Sequence, residues 1–383
     1  MSKQPVAVVG VGQTKYSKKR GDVSMPGLVR EAAQRALEQA GASWSDVEAV
    51  VIGKAPDIFE GVMQPELFLA DALGAAGKPM IRVHTAGSVG GSTSIVGSHL
   101  VASGEHGLVL AVAWEKQSEG NAMFALGGGK SGSMGAGGIF APWIKEYIRR
   151  SGAPEHIGWQ VAVKDRQNAL KNPYAHLKLK DISIESVKES PMLWDPLHFL
   201  ESCPSSDGAI AMVFGNEQWA GRVAQPAWIL STSMRSELGQ FPGRDTTFIQ
   251  AASDCAKEVY EKAGITNPRE QIDVAELYVP FSWYEPMWLE NHHIAELGEG
   301  WKMTDSGETA MDGSFPVNPS GGVLSSNPIG ASGMIRFGEA AMQVMGTAGE
   351  HQIDGARVAL AQAYGGAAQY FAMWVVSSEQ QPF

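Results

Sequence analysis

Long apolar runs alternate with amphipathic stretches along most of this 383-residue chain. Runs such as VAVVGVG near the start, Ala49–Ala55 and Gly107–Trp114 are typical of strands whose two sheet faces are both covered by helices. The intervening stretch Met25–Gly41 has apolar residues at helical spacing and ends on a glycine that can cap a helix. The pattern predicts an α/β fold.

The second half of the chain repeats the plan of the first. Helix, glycine stop, acidic turn and buried strand follow one another at residues 36–52 and again at 259–277. We interpret this as an internal duplication, and we predict an N-terminal half over residues 1–222 and a C-terminal half over residues 223–383. Two such halves packed together bring their two glycine-started helices face to face.

Residues 115–200 interrupt this regular pattern. The segment begins with a run of small residues and continues with stretches rich in Trp and Pro, such as SPMLWDPLHF. We predict a long loop domain that leaves the core and carries substrate specificity.

Composition excludes several classes of function. The formal net charge of -11 argues against a nucleic-acid partner. The most apolar stretch is too short to cross a bilayer, and no signal peptide is recognisable, so we expect a cytoplasmic protein. Two cysteines, Cys203 and Cys255, give neither a disulfide framework nor a metal-ligand spacing.

The two glycine-started helices carry the first candidate chemistry. Backbone N–H groups at Gly87–Ser88 and at Gly330–Ser332 are expected to stabilise an anion such as a developing enolate. The alternative is that these glycines permit close packing of the two helices, and the two interpretations are compatible.

Other motifs have ordinary interpretations. GGGKSG has Phe124 where a phosphate loop requires glycine, and we interpret it as a loop. The adjacent His292 and His293 are predicted to lie on the surface, because no third ligand stands at helical spacing. His84 at a strand end and Trp283 are candidate pocket residues, with a role in the core as the alternative for each.

Five stretches together resemble the thiolase superfamily, most closely its sterol-carrier or lipid-transfer type. They are VAVVGVGQTKY near the N-terminus, Pro196–Phe214, Ala275–Phe281, NPSGGVLSSNPIGASG at Asn318–Gly333 and ALAQAYGGAAQ at Ala359–Gln369. The resemblance covers nearly the whole chain. It implies a five-layered α-β-α-β-α core made of two duplicated α/β halves.

The chain departs from the thiolase pattern at every position of thiol and imidazole chemistry. The nucleophilic cysteine of that family falls at Gly87 and its second cysteine at Tyr364, while its two histidines fall at Asn327 and Tyr278. Cys203 and Cys255 lie elsewhere in the sequence and are not expected to substitute. Cleavage through an acyl-enzyme is therefore not expected.

One branch of the lipid-transfer type also lacks the cysteine, namely the retro-aldolases that shorten steroid side chains held as CoA thioesters. They carry glycine at the position of Gly87 and tyrosine at that of Tyr278, and a second tyrosine of theirs falls at Asn327. The resemblance implies that Tyr278, Tyr364 and Asn327 are catalytic. The residues expected to bind the enolate or thioester are Gly87, Ser88, Gly330, Ser332 and Gly366.

The predicted function is retro-aldol cleavage of a bulky 3-hydroxyacyl-CoA, with CoA as part of the substrate and no covalently bound cofactor. The resemblance further implies a homodimer and a small partner protein of OB-fold or hot-dog type. Two alternatives stay open: a thiolase with an unusual nucleophile, and a catalytically silent subunit that binds lipid or acyl-CoA.

Overall fold

The computed structural model describes residues 4–120, 135–239 and 243–383. Its strands are β1 Ala7–Gln13, β2 Ala49–Lys54, β3 Met80–Val83, β4 Leu108–Lys116, β5 Met192–Trp194, β6 Leu197–His198, β7 Asp207–Gly215, β8 Ala227–Ser236, β9 Val274–Glu276, β10 Val358–Gly365 and β11 Tyr370–Ser377. Its helices are α1 Met25–Ala40, α2 Glu66–Ala72, α3 Val89–Ala102, α4 Gly135–Ser151, α5 His156–Lys171, α6 Ile184–Lys188, α7 Glu217–Ala220, α8 Gln250–Ala263, α9 Pro268–Gln271, α10 Tyr284–Asn291, α11 Gly300–Asp305, α12 Gly322–Ser325 and α13 Ile329–Met345.

Nine strands form one sheet in the order β3-β2-β4-β7-β1-β8-β11-β10-β9. In the first half β2 is parallel to β4, β4 is antiparallel to β7, and β7 is antiparallel to β1. In the second half β9, β10, β11 and β8 repeat the same three relationships. The topology therefore contains the predicted duplication, whereas the boundary near residue 222 stays a prediction.

The elements stack in five layers, as predicted. Helix α1 packs on the outer face of β1, β4 and β7, and α8 packs on β8 and β11. Helices α3 and α13 lie between the halves, because each contacts strands of both. Strands β1, β4 and β10 are buried along their whole length, which explains their uninterrupted apolar sequences.

Local sequence accounts for the helix ends. The Ser24 side chain accepts a hydrogen bond from the N–H of Gly27 and caps the start of α1. Gly41, Gly264 and Gly346 end α1, α8 and α13 in the left-handed conformation, with φ of 61°, 74° and 70°. The ends at Gly41 and Gly264 confirm the two glycine stops expected from the sequence.

The segment predicted as a loop domain, residues 115–200, contains regular secondary structure. Two long helices, α4 and α5 with 17 and 16 residues, make up much of this segment, and a two-stranded β5–β6 hairpin follows them. The helical periodicity of α4 was hidden by Pro142 inside the helix and by the glycines at its start. The GGGKSG motif at residues 127–132 lies outside the described residues.

The histidine pair was also predicted incorrectly in part. His292 is fully buried and its ring stacks on Trp288, whereas His293 is exposed as expected. Within residues 4–120, 135–239 and 243–383 there is no cluster of side chains suited to a metal ion. None of the helices in that part of the chain is both long enough and apolar enough to cross a bilayer.

Candidate active site

A tight turn connects β3 to α3. Ala86 has a φ of 51°, in the left-handed region that is costly for a residue with a side chain. The Ser88 hydroxyl donates to the Thr85 carbonyl at 2.7 Å, and the Ser88 N–H donates to the same carbonyl at 3.2 Å. Both polar groups of Ser88 are thus held within the turn.

The turn lies directly against the end of β10. A Cβ atom on Gly365 would lie 2.4 Å from the backbone nitrogen of Ser88 and 2.5 Å from that of Gly87, so only glycine fits there. A Cβ atom on Gly87 would lie 3.2 Å from the carbonyl oxygen of Tyr364. Gly366 follows with a φ of 65° and turns the chain away from the site.

The start of α13 meets the end of β4 at a buried carboxyl group. Glu115 Oε2 accepts the N–H of Gly330 at 3.2 Å and the N–H of Ala55 at 3.0 Å, while Oε1 has no hydrogen-bond partner among the described residues. Burial raises the pKa of Glu115 to about 8. The N–H of Gly330 is therefore not open, and a ligand oxygen would have to displace the Glu115 carboxyl.

The two central helices are in close contact through glycine. A Cβ atom on Gly90 would lie 2.4 Å from the backbone nitrogen of Met334, and one on Gly333 would lie 2.8 Å from that of Gly91. Glycine at these positions therefore permits the close packing of α3 and α13 that was one of the two interpretations of the sequence.

Asn327 joins several side chains of the site. Its Oδ1 accepts hydrogen bonds from the Ser332 hydroxyl at 2.7 Å and from the Tyr278 hydroxyl at 3.3 Å. Its Nδ2 donates to the sulfur of Cys203 at 3.1 Å, and its backbone N–H donates to the Ser206 hydroxyl at 3.1 Å. The amide is thus fixed in one orientation.

Tyr278 reaches Asn327 because β9 ends early. Strand β9 stops at Glu276. Beyond it the N–H groups of Leu277 and Tyr278 donate to side-chain oxygens of Asn318 and Gln362, at 2.8 and 2.9 Å, instead of to a neighbouring strand. These side chains satisfy the backbone and turn Tyr278 into the site.

Tyr364 lies beside Tyr278, with their ring centroids 5.2 Å apart in an edge-to-face arrangement. Its ring also stacks on Tyr284 and Phe371, at 5.8 and 5.9 Å, and meets the edge of Trp288 at 5.2 Å. The Tyr364 hydroxyl has no hydrogen-bond partner among the described residues. The structure therefore brings Tyr278, Tyr364 and Asn327 together.

Burial raises the pKa of both Tyr278 and Tyr364 above that of free tyrosine. For Tyr278 the nearby Ser332 hydroxyl and the charge of Arg336 oppose this rise, whereas all the effects on Tyr364 raise its pKa further. Both phenols are neutral near pH 7, and Tyr278 is the one whose surroundings favour ionisation more.

The two predicted pocket residues, His84 and Trp283, do not contact the site tyrosines in the described part of the chain. Trp283 is buried against Tyr147, at 6.4 Å between ring centroids, and against Gly158 of α5. His84 is exposed at the end of β3. Among the described residues, no hydrogen bond or ring contact joins either of them to Tyr278 or Tyr364.

Cys203 is the residue that sequence reasoning excluded from the site and the structure places there. It is half-buried, it accepts the hydrogen bond from Asn327, and its N–H donates to the Pro280 carbonyl at 2.9 Å. Cys203 lies within Pro196–Phe214, one of the stretches that resemble the thiolase superfamily, and this position could have indicated that it belongs to the site. Cys255 is fully buried in α8, away from these residues as expected.

The Cys203 side chain is a neutral thiol. Burial raises its pKa to about 11, although the Asn327 hydrogen bond and the charge of Arg166 oppose the rise. Two further buried polar atoms near the site have no hydrogen-bond partner in the described part of the chain, Gln362 Nε2 and the Tyr284 hydroxyl. Such a concentration of unsatisfied groups is typical of a place that receives a polar ligand or water.

Comparisons with known proteins agree with this architecture. A thiolase C-terminal domain-like family matches residues 236–378. An acetyl-CoA acetyltransferase of Methanothermobacter thermautotrophicus is 30% identical, covering 94% of this chain and 96% of that protein. Human sterol carrier protein 2 is also 30% identical, covering 93% of this chain and 69% of its own length.

Among solved structures, an Ltp2-ChsH2(DUF35) aldolase aligns over 100% of both chains with a TM-score of 0.84 and 24% identity. At this identity the similarity shows a shared fold. The fold of the chain and the relatives that match more than nine-tenths of it indicate the same family. The chain belongs to the thiolase superfamily, within its lipid-transfer type.

Proposed function

We propose that the protein is a carbon–carbon lyase that cleaves a bulky 3-hydroxyacyl-CoA, namely a steroid side-chain CoA thioester, by retro-aldol chemistry. The observation that carries the proposal is the replacement of thiol and imidazole groups by Gly87, Tyr364, Tyr278 and Asn327 within an intact thiolase fold. A retro-aldol step needs no covalent nucleophile, because the thioester itself delocalises the carbanion.

The reaction moves one proton from oxygen to carbon. A base removes the proton of the β-hydroxyl group, the bond between Cα and Cβ breaks, and its electron pair enters the thioester as an enolate. Protonation at Cα then gives the shortened acyl-CoA together with an aldehyde or ketone. The hydroxyl proton thus balances the proton that Cα gains, and free CoA is not consumed.

We assign the base role to Tyr278 and the acid role to Tyr364. Ser332 and Arg336 favour the ionised form of Tyr278, whereas the surroundings of Tyr364 keep it neutral. The fraction of Tyr278 that has already lost its proton to solvent performs the first step. The Tyr364 hydroxyl, which has no other partner among the described residues, donates its proton to the enolate and recovers one from the medium.

The aromatic surroundings support a bulky apolar acyl group. Phe140 from α4 meets Tyr364 at 6.2 Å and Tyr284 at 5.6 Å between ring centroids. CoA enters as part of the substrate, and the proposal requires no covalently bound cofactor.

We further propose that the chain forms a homodimer in the cytoplasm. Strand β3 is an edge of the sheet, and large apolar side chains are exposed on it and on the adjacent α2 segment: Met63, Leu67, Phe68 and Ile81. We expect Phe68→Asp to convert a dimer to a monomer in light scattering, and Leu297→Asp, at an exposed position elsewhere, to leave the mass unchanged. A monomeric mass for the wild-type chain would refute the proposed homodimer.

A small partner protein of OB-fold or hot-dog type is part of the proposal. Support comes from the structurally similar Ltp2-ChsH2(DUF35) aldolase, whose name joins two proteins. Activity is therefore to be assayed with the chain alone and together with a DUF35-type protein.

The decisive assay separates the proposal from its two alternatives. A thiolase with an unusual nucleophile would give a burst of acyl-enzyme when mixed with a 3-ketoacyl-CoA and free CoA. A silent subunit would bind acyl-CoA and cleave none, with or without a partner. We expect a carbonyl product from the 3-hydroxyacyl-CoA and no burst.

A further inference from the structure

Arg166 is a buried positive charge beside the candidate site. It lies on α5 and is only 1% exposed. Its Nη2 donates to the carbonyl oxygens of Leu200 and Ser202, at 3.0 and 3.1 Å, on the segment that leads into Cys203.

The rest of that guanidinium group is unsatisfied. Nε and Nη1 of Arg166 are buried and have no hydrogen-bond partner among the described residues. Buried charged N–H groups without hydrogen-bond partners are costly, so such groups usually face a ligand or water. Its neighbour Asp165 forms an ion pair with Lys164 at 3.2 Å and makes no hydrogen bond to Arg166, although the Asp165 charge favours the charged guanidinium.

Cys203, which contacts Asn327, directly follows the Ser202 carbonyl that Arg166 binds. The Asn327 amide donates to the Cys203 sulfur at 3.1 Å, and sulfur is a weak acceptor that an oxygen readily displaces. The neutral thiol also offers its own S–H group as a donor. His176, on which the charge of Arg166 acts, is hydrogen-bonded to the Ser206 hydroxyl at 2.8 Å.

We propose that Arg166, Cys203 and Asn327 form an oxyanion site that holds the thioester oxygen of the substrate as it becomes an enolate oxygen. Asn327 and Cys203 donate the hydrogen bonds, and Arg166 is a positioning residue that supplies positive charge behind them. The inference rests on the proposed function and names the part of the site that binds the thioester.

The probe is acetoacetyl-CoA, because its enolate has an ultraviolet absorbance that its keto form lacks. At a pH where the free compound is mostly keto, we expect the wild-type chain to bind it with the enolate spectrum. Arg166→Gln should reduce the bound enolate fraction relative to keto by at least about tenfold, the effect of losing one charge-assisted interaction. Arg166→Lys keeps the charge and should retain part of the absorbance.

Lys171→Gln is the matched control. It removes one positive charge from the same helix at an exposed position and should leave the spectrum unchanged. Cys203→Ser, which keeps a donor, should preserve the enolate, whereas Cys203→Ala should weaken it.

Three results would overturn the inference: no enolate spectrum with the wild-type chain, an unchanged spectrum with Arg166→Gln, or equal losses with Arg166→Gln and Arg166→Lys. Turnover is measured separately. An Arg166-dependent enolate without cleavage of any 3-hydroxyacyl-CoA would support the oxyanion site and refute the proposed lyase activity.

Discussion

Gly87 faces the backbone of Tyr364, so that a side chain on Gly87 would begin 3.2 Å from the Tyr364 carbonyl oxygen. The sequence positions at which thiolases carry their two cysteines are thus neighbours in space here, as glycine and tyrosine. Tyr278 then meets Tyr364 edge to face at 5.2 Å. A glycine and a phenol thus stand at the two cysteine positions of thiolases, and Tyr278 adds a second phenol at one of the histidine positions.

The Tyr278 hydroxyl is expected to be essential for turnover and dispensable for binding. Tyr278→Phe should lower kcat by at least about 100-fold, because a positioned acid–base group contributes about 10² to 10⁴-fold. The Kd for a CoA ester should stay near the wild-type value. Tyr260→Phe is the control, since it removes a buried hydroxyl that donates to the His292 carbonyl at 3.0 Å in another part of the fold. Equal turnover in Tyr278→Phe and Tyr260→Phe would remove Tyr278 from the mechanism.

Turnover is expected to rise with pH. Burial holds the pKa of Tyr278 above 10, so the ionised fraction is small at neutral pH and increases as the pH increases. Where the chemical step limits the rate, kcat should increase about tenfold per pH unit from about pH 7 to pH 10. The measurement is kcat at saturating substrate across that range. A rate that is already constant above pH 7 would contradict the assignment of Tyr278 as the base.

Glu115 is expected to make the folded chain less stable as pH rises. The folded chain holds this proton up to about pH 8, whereas an unfolded chain loses it near 4.5, so the unfolded state binds fewer protons between these values. Stability therefore falls across that window, by at most about 1.4 kcal/mol per pH unit from this group.

Glu115→Gln keeps an oxygen for the N–H groups of Ala55 and Gly330 and cannot ionise. Its free energy of unfolding should exceed that of the wild type increasingly from pH 5 to about pH 8. The measurement is denaturant unfolding at several pH values, with the exposed Glu105→Gln as control. Parallel pH profiles for wild type and Glu115→Gln would contradict the buried, protonated state.

The contact between α3 and α13 is expected to depend on Gly90. An added methyl group at Gly90 would lie 2.4 Å from the Met334 backbone nitrogen, which cannot move without shifting the helix. Gly90→Ala should lower the free energy of unfolding by about 1–3 kcal/mol. At Gly221 the same change meets its nearest atom at 3.4 Å with a φ of -68°, and Gly221→Ala should be close to neutral in the same denaturant titration. Comparable free energies of unfolding for the two variants would show that α3 and α13 can accommodate the added methyl group without a loss of stability.

Much of the fold could be predicted because its strands are buried on both faces and its helices end on glycine. Local sequence holds that information, as at Met25–Gly41. Helix α4 was missed because Pro142 and the glycines at its start obscure its periodicity. The early end of β9 depends on side-chain acceptors from Asn318 and Gln362, which are distant in sequence.

Only those residues of the candidate site that match family positions could be predicted from the sequence. Tyr278, Tyr364 and Asn327 were expected from the resemblance, and the structure brings them together. Cys203 was excluded because its approach depends on an antiparallel bridge between Ser202 and Phe281, which local sequence does not reveal.

The most direct test of the central claim is the fate of a bulky 3-hydroxyacyl-CoA incubated with the purified chain and a DUF35-type partner in the absence of free CoA. We predict a shortened acyl-CoA and an equimolar carbonyl product, while the mass of the intact protein stays that of the unmodified chain throughout turnover. Cleavage that occurs only with added CoA, accompanied by a protein species heavier by one acyl group, would contradict the account.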